Sequence, residues 1–226
     1  MTALQERAVP EYKRILLIRT DRVGDLVLST PAIASFRRSW PRAHITAVVS
    51  EYTEPVLRHN PDLDDLQVLP KQQSRAGSLK QIGGLGNFDL AVALAPRTED
   101  LYLAGFSGAT NRIGYVYKRR YLSRGLAQLI LTDFCLSTAD PGLADRYPNQ
   151  PVLHEVRQVL ALVTLAGGRH LSEELVLRVG DDDRAYARSI VPAGVVVVPL
   201  APRWLAANFG AEPTRELITQ LAREHK

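Results

Sequence analysis

The residues best placed to do chemistry gather around Asp25. Ile15, Leu16, Leu17 and Ile18 form a short apolar run, a polar loop follows from Arg19 to Gly24, and Asp25 opens a helical pattern. A carboxylate just past the carboxyl end of a buried strand stands where open parallel sheets bind their ligands. Gly24 lets the backbone turn sharply and come close to a bound molecule, and Asp25 offers that molecule a carboxylate. Helix capping competes with this reading, since Asp is favoured at helix starts and its charge suits the positive end.

The second group is cationic. Arg112, Lys118, Arg119, Arg120 and Arg124 fall within thirteen positions, with Tyr115, Tyr117 and Tyr121 between them. The default account of such a run is a solvated face. Arg19, Arg22, Arg37 and Arg38 add charge in the opening unit. Facing one cleft, these guanidinium forks would pair with phosphates or carboxylates in bidentate geometry.

Other chemistries find little support. The loop RTDRVGD has one glycine where a dinucleotide fingerprint needs three. The five histidines show no ligand-like pairing for zinc, and no nucleophile elbow is present. Asp181, Asp182 and Asp183 resemble a metal-binding Asp-x-Asp motif, but their place at a helix start makes capping the better account. No metal and no cofactor are expected. Without a helix-turn-helix, RNA-binding or zinc-finger signature, neither is nucleic acid.

The elements that must position these groups follow a strand-helix rhythm, which implies an α/β fold with a parallel sheet. The apolar run 15–18 is one strand, and Leu26, Val27, Ile33, Phe36 and Trp40 keep the spacing of one helix after it. Further strands are expected at His44 to Val49, Gln67 to Leu69, Leu90 to Leu94, Asn111 to Tyr115 and Leu175 to Val179. Helices are expected at Glu54 to His59, Glu99 to Phe106, Pro151 to Leu165 and Asp182 to Ile190. Lys71 to Ser78 reads as a surface loop, Gly83, Gly84 and Gly86 as a turn, and 133–149 as irregular. Val195 to Leu200 opens a new strand and Pro213 to Glu224 a new helix.

The 226 residues, 46% apolar, suffice for one large domain or one and a part. A formal charge of +4 says little without clustering. No apolar run approaches the roughly 20 residues that span a bilayer, and the start lacks a secretory core. With Cys135 the single cysteine, this points to a reducing cytoplasm.

The opening unit ILLIRTDRVGDLVLSTPAIASFRRSWP resembles the N-terminal pattern of glycosyltransferase family 9, the heptosyltransferases. FDLAVAL, NRIGY, His154 with its helix and the stretch from Val195 to Leu221 extend the likeness. The resemblance implies the N-terminal half of a two-domain GT-B glycosyltransferase with a Rossmann-like parallel sheet, the second domain truncated. It implies a polar lead-in over 1–12, an acceptor-binding domain over 13–191, and over 192–226 a linker with the first strand-helix unit of an incomplete donor-binding domain.

By the same resemblance Asp25 is the general base of an inverting, metal-independent transfer. The donor is a nucleotide sugar, ADP-heptose, and the acceptor an acidic glycolipid of lipopolysaccharide core. Arg22, Gly24, Arg112, Lys118, Arg119 and Arg120 are the acceptor-binding candidates. The protein is expected in the cytoplasm, with peripheral contact at the inner membrane face. Where the family has a lysine that holds the donor's phosphate, this chain has Ala207, and Arg203 in the same loop is the candidate replacement. The family's later donor motif would fall beyond Lys226. The chain alone is therefore expected to be inactive and to present a sticky strand edge at 195–200. The alternative is a non-catalytic acceptor-binding module or degenerate homologue.

Overall fold

The computed structural model describes residues 10–137, 140–143, 146, 149, 153–169, 172–192, 194, 195, 197, 198 and 210–224. The chain divides into two compact units, Met1–Arg178 and Val179–Lys226.

In the first unit β1 (Arg14–Ile18), β2 (His44–Ser50), β3 (Asp65–Leu69), β4 (Leu90–Ala93), β5 (Asn111–Tyr117) and β6 (Asp133–Ser137) form one sheet. Its order is β3-β2-β1-β4-β5-β6. Every pairing is parallel, with Ile18 opposite Val48 on one side and Ala93 on the other. Among the described residues, seven α-helices accompany it: α1 (Val23–Val27), α2 (Thr30–Ser39), α3 (Glu54–Leu57), α4 (Arg75–Gly83), α5 (Thr98–Phe106), α6 (Tyr121–Ile130) and α7 (Glu155–Leu165).

The continuous apolar run of β1 reflects burial on both faces. Ile15 and Leu17 point into a core with Ile33 and Phe36 of α2 and Val159 and Val163 of α7. Leu16 and Ile18, one position out of phase, join Leu101 and Ala104 of α5 and Ala127 of α6. Each of the four is at most 1% exposed, and burial of such a side chain stabilises the fold by about 1.5–3 kcal/mol.

The single helix expected after Gly24 is two. Pro31 lies in the first turn of α2 and has no N–H to continue a ladder from α1. The hydroxyl of Thr30 instead donates to the Val27 carbonyl at 2.8 Å, which satisfies an orphan acceptor at the end of α1.

Four other expectations change. The loop expected over 71–78 holds the start of α4, capped by the Ser74 hydroxyl, which accepts from Gly77 N at 3.1 Å. Only Ile82 of α4 is buried, so its apolar period is weak. Residues 133–137, read as irregular, form the edge strand β6, and the basic run leads into α6. Leu175 to Val179 forms no strand and pairs with none among the described residues, and Leu175, Leu177 and Val179 are each about half exposed.

The second unit contains α8 (Asp181–Ile190) and α9 (Ala211–Glu224). α8, counted above with the domain over 13–191, groups with this unit. Asp181, Asp182 and Asp183 occupy the first turn of α8, where their charge suits the helix dipole. Of the strand expected over 195–200, Val195, Val197 and Val198 are described and are not in a strand; Val196, Pro199 and Leu200 lie outside the described residues. So do most of the lead-in (1–9), the start of the helix expected from Pro151, and Arg203 and Ala207. No helix among the described residues is long and apolar enough to cross a membrane.

Candidate active site

The strand order reverses direction between β1 and β4, and the loops leaving their carboxyl ends diverge there. In open α/β sheets this switch point is where ligands bind. A cavity of about 590 Å³ occupies it. Asp21, Arg22 and Asp25 enter from the segment after β1, Pro96 and Arg97 from the segment after β4. Tyr115, Tyr117 and Arg120 enter from β5 and just beyond, and Glu155 from the start of α7.

The floor is built on Arg19, which is 3% exposed. Its Nη1 donates to Leu94 O at 2.7 Å, Glu155 Oε1 at 2.8 Å and Ser29 Oγ at 3.0 Å. Its Nε and Nη2 donate to the two carboxylate oxygens of Asp21 at 2.9 and 3.1 Å. Glu155 Oε1 also accepts from the Tyr115 hydroxyl at 2.7 Å, and Oε2 from Gln158 Nε2 at 3.1 Å. Burial opposes the charge on Arg19, but the Asp21 hydrogen bonds and charge, with Glu155, outweigh it and raise the guanidinium's pKa. Burial raises the Tyr115 hydroxyl strongly and Tyr117 to about 12, so both are proton donors at neutral pH.

Thr20 fixes the loop from the other side. Its hydroxyl donates to Asp100 Oδ1 and its N–H to Asp100 Oδ2 at 3.3 Å. With Arg19 and Thr20 both tied down, the loop carries Arg22 and Gly24 into solvent and Asp25 to a half-buried position.

Asp25 is the third residue of α1. It is not the cap residue, which is Arg22, and no side chain caps this helix; its place in the first turn still suits the helix dipole, and the Asp25 carboxylate takes no hydrogen bond among the described residues. Burial raises its pKa above the ordinary carboxylate range, helped by Asp21 and Glu155 and opposed by Arg19 and Arg22. The helix N-terminus acts in the opposite direction and lowers its basicity. Gly24 is not in a left-handed conformation as the expected sharp turn would need, and a Cβ there would meet nothing within 4 Å.

Of the cationic candidates, the structure brings Arg22 and Arg120 into the cavity with Asp25. Arg120 holds Asp140 through two hydrogen bonds, 2.7 and 2.8 Å, and its guanidinium lies over the Tyr117 ring at 4.8 Å. Lys118 is exposed and Arg119 half-buried; neither lines the cavity. Arg112 stands at the amino end of β5, away from it, with its guanidinium spent on the carbonyls of Ile130 and Ala109, both at 2.7 Å. Arg97, Asp21, Tyr117 and Glu155 were missed by the sequence. Glu155 followed His154, whose Nδ1 accepts from Val156 N at 3.3 Å and caps α7.

A Rossmann-ordered parallel sheet with a cleft of arginines and carboxylates at its switch point defines an α/β half with a candidate ligand site. No protein-family model matches the chain. Lipopolysaccharide heptosyltransferase 3 of Escherichia coli is 26% identical over 104 residues, 43% of this chain and 31% of that protein. A solved glycosyl transferase family 9 protein from Veillonella parvula shares the fold with a TM-score of 0.61 and 22% identity, over 82% of this chain and 50% of that one. The E. coli ADP-heptose lipopolysaccharide heptosyltransferase II gives 0.62 and 20%, over 94% and 62%. The chain is thus similar in sequence to a heptosyltransferase and shares its fold with solved glycosyltransferase family 9 structures. The chain spans about a third of the curated relative's length and half or somewhat more of the solved ones.

Proposed function

We propose that the whole protein transfers a sugar from a nucleotide-activated donor, ADP-heptose, to a hydroxyl of a lipopolysaccharide core or similar acidic glycolipid. The observation that carries this reading is the half-buried, uncapped Asp25 carboxylate, its basicity raised, in a cleft with Arg22, Arg97 and Arg120. Asp25 takes the acceptor hydroxyl's proton as that oxygen attacks the anomeric carbon. The bond from that carbon to the nucleotide diphosphate breaks, the diphosphate leaves with the electron pair, and the configuration inverts without a metal. Arg22, Arg120 and the open face at Gly24 bind the acceptor, with Lys118 and Arg119 outside the cavity as a second rank of cations. Arg203 contacts the donor phosphates. The reaction takes place at the cytoplasmic face of the inner membrane.

Family members use two facing Rossmann-like halves, and the described sheet is one of them. Residues 1–226 alone therefore bind ADP weakly in a calorimetric titration and transfer no sugar. The test of the reading is to incubate the whole protein with ADP-heptose and heptose-deficient lipopolysaccharide. A mass gain of one heptose supports it, and transfer from another nucleotide sugar alone would reassign the donor.

A further inference from the structure

Helix α6 carries three of its large apolar residues on the side away from the core. Leu122 is 92% exposed, Leu129 86% and Tyr121 76%. At about 100° per residue these three share one arc with Gly125, where a Cβ would meet nothing within 4 Å. The opposite side packs Leu126, Ala127 and Ile130 against the core below. Two leucines and a tyrosine, the tyrosine with the Arg124 guanidinium over its ring at 6.0 Å, thus form a strip that no other element among the described residues covers, on a helix that is already anchored.

Along the chain the charge flanking the strip has one sign, although Arg120 is paired with Asp140. From residue 101 to 132 the chain contains no Asp or Glu, while Lys118, Arg119, Arg120 and Arg124 sit at or just before the start of α6. A strip of Leu and Tyr edged by Lys and Arg matches an anionic lipid surface: leucines below the headgroups, tyrosine among them, cations on the phosphates. A second copy of the chain fits less well, because a two-fold contact here would bring these cations against their own equivalents. Position points the same way, since Arg120 lines the Asp25 cavity and directly precedes Tyr121.

We propose that α6 is the docking face of this protein for an anionic bilayer, which sets the cavity mouth beside the lipid surface. This deepens the glycolipid-acceptor reading and rests on it only for why the protein should be at a membrane. The experiment is flotation of the full chain with vesicles of equal parts phosphatidylglycerol and phosphatidylcholine, free of sugar acceptor and donor. The wild type floats with these vesicles, stays behind with phosphatidylcholine alone, and is released by raised salt.

The double variant Leu122→Glu, Leu129→Glu keeps the wild-type thermal midpoint, because both side chains are in water, and binds the vesicles at least tenfold more weakly. Should it fail to fold, Leu122→Gln with Leu129→Gln serves in its place. Three results overturn the proposal: a wild type that ignores the anionic vesicles, a folded variant that floats as well as wild type, or a lipid-free dimer that the variant turns into a monomer. Vesicle binding does not involve Asp25, so failure here and failure of the transfer reading are separate results.

Discussion

Arg19 and Glu155, 136 positions apart in the chain, meet at 2.8 Å beneath the cavity, both largely out of water. Their pairing ties the end of β1 to the start of α7. Removing the cation would strand the carboxylates of Glu155 and Asp21 without a counter-charge. Arg19→Met is therefore expected to cost about 3–5 kcal/mol in urea unfolding. Glu155→Gln keeps a partner for Tyr115 and should cost clearly less. Equal losses would mean that the hydrogen bonds rather than the charge matter here.

Asp100 gives the protein a built-in pH dependence. Burial pushes its carboxyl from the ordinary 3.8 up to about 6, against the pull of the Thr20 hydrogen bonds and Arg97. Because the folded value is the higher one, the folded state holds a proton that the unfolded chain releases first. This group's contribution to stability is thus greatest below pH 3.8 and declines as pH rises to 6, by about 3 kcal/mol in total. Asp100→Asn should remove that decline. Urea unfolding of both proteins between about pH 4 and pH 7 checks it. Parallel curves would mean that the carboxyl is already ionised when folded.

How much of this was legible in the sequence depends on whether the signal was local. β1, β2, β4, β5 and α7 announce themselves because their apolar residues face the core on both sides or in a regular stripe. α6 does not: of its three leucines only Leu126 faces the core while Leu122 and Leu129 stand in water, so the leucines mark no single buried stripe. Leu175, Leu177 and Val179 alternate as a strand would but pair with no strand among the described residues. In the site, Asp25 and Arg22 were visible from a strand-loop-helix unit alone. Glu155 was not, since its partner Arg19 belongs to another part of the chain. The one available hint was an arginine directly after four buried apolar residues, a place that demands an acid from somewhere.

Arg112 and Arg120 belong to one basic run but separate cleanly in space, and their variants should separate too. Arg112→Ala loses hydrogen bonds to the Ile130 and Ala109 carbonyls and should lower stability by about 1–3 kcal/mol, with acceptor affinity unchanged. Arg120→Ala opens the cavity wall and releases Asp140, and should weaken binding of a phosphorylated acceptor more than of its dephosphorylated form. Calorimetric titration of each variant with both acceptors, beside thermal unfolding, checks the pair. An Arg112 variant with normal stability and weakened acceptor binding would mean that the wrong arginine has been placed in the site.

The role of Asp25 is the centre of the account, and Asp25→Asn is its most direct test. The amide keeps the size and the helix position of the carboxylate but cannot take a proton at neutral pH. In the whole protein, steady-state transfer from ADP-heptose should fall by about 10²- to 10⁴-fold in kcat, with little change in KM for the acceptor. Wild-type kcat should decline at low pH through a group whose pKa lies above the ordinary carboxylate range, the direction in which burial moves Asp25. A folded Asp25→Asn protein that transfers sugar at the wild-type rate would contradict the account.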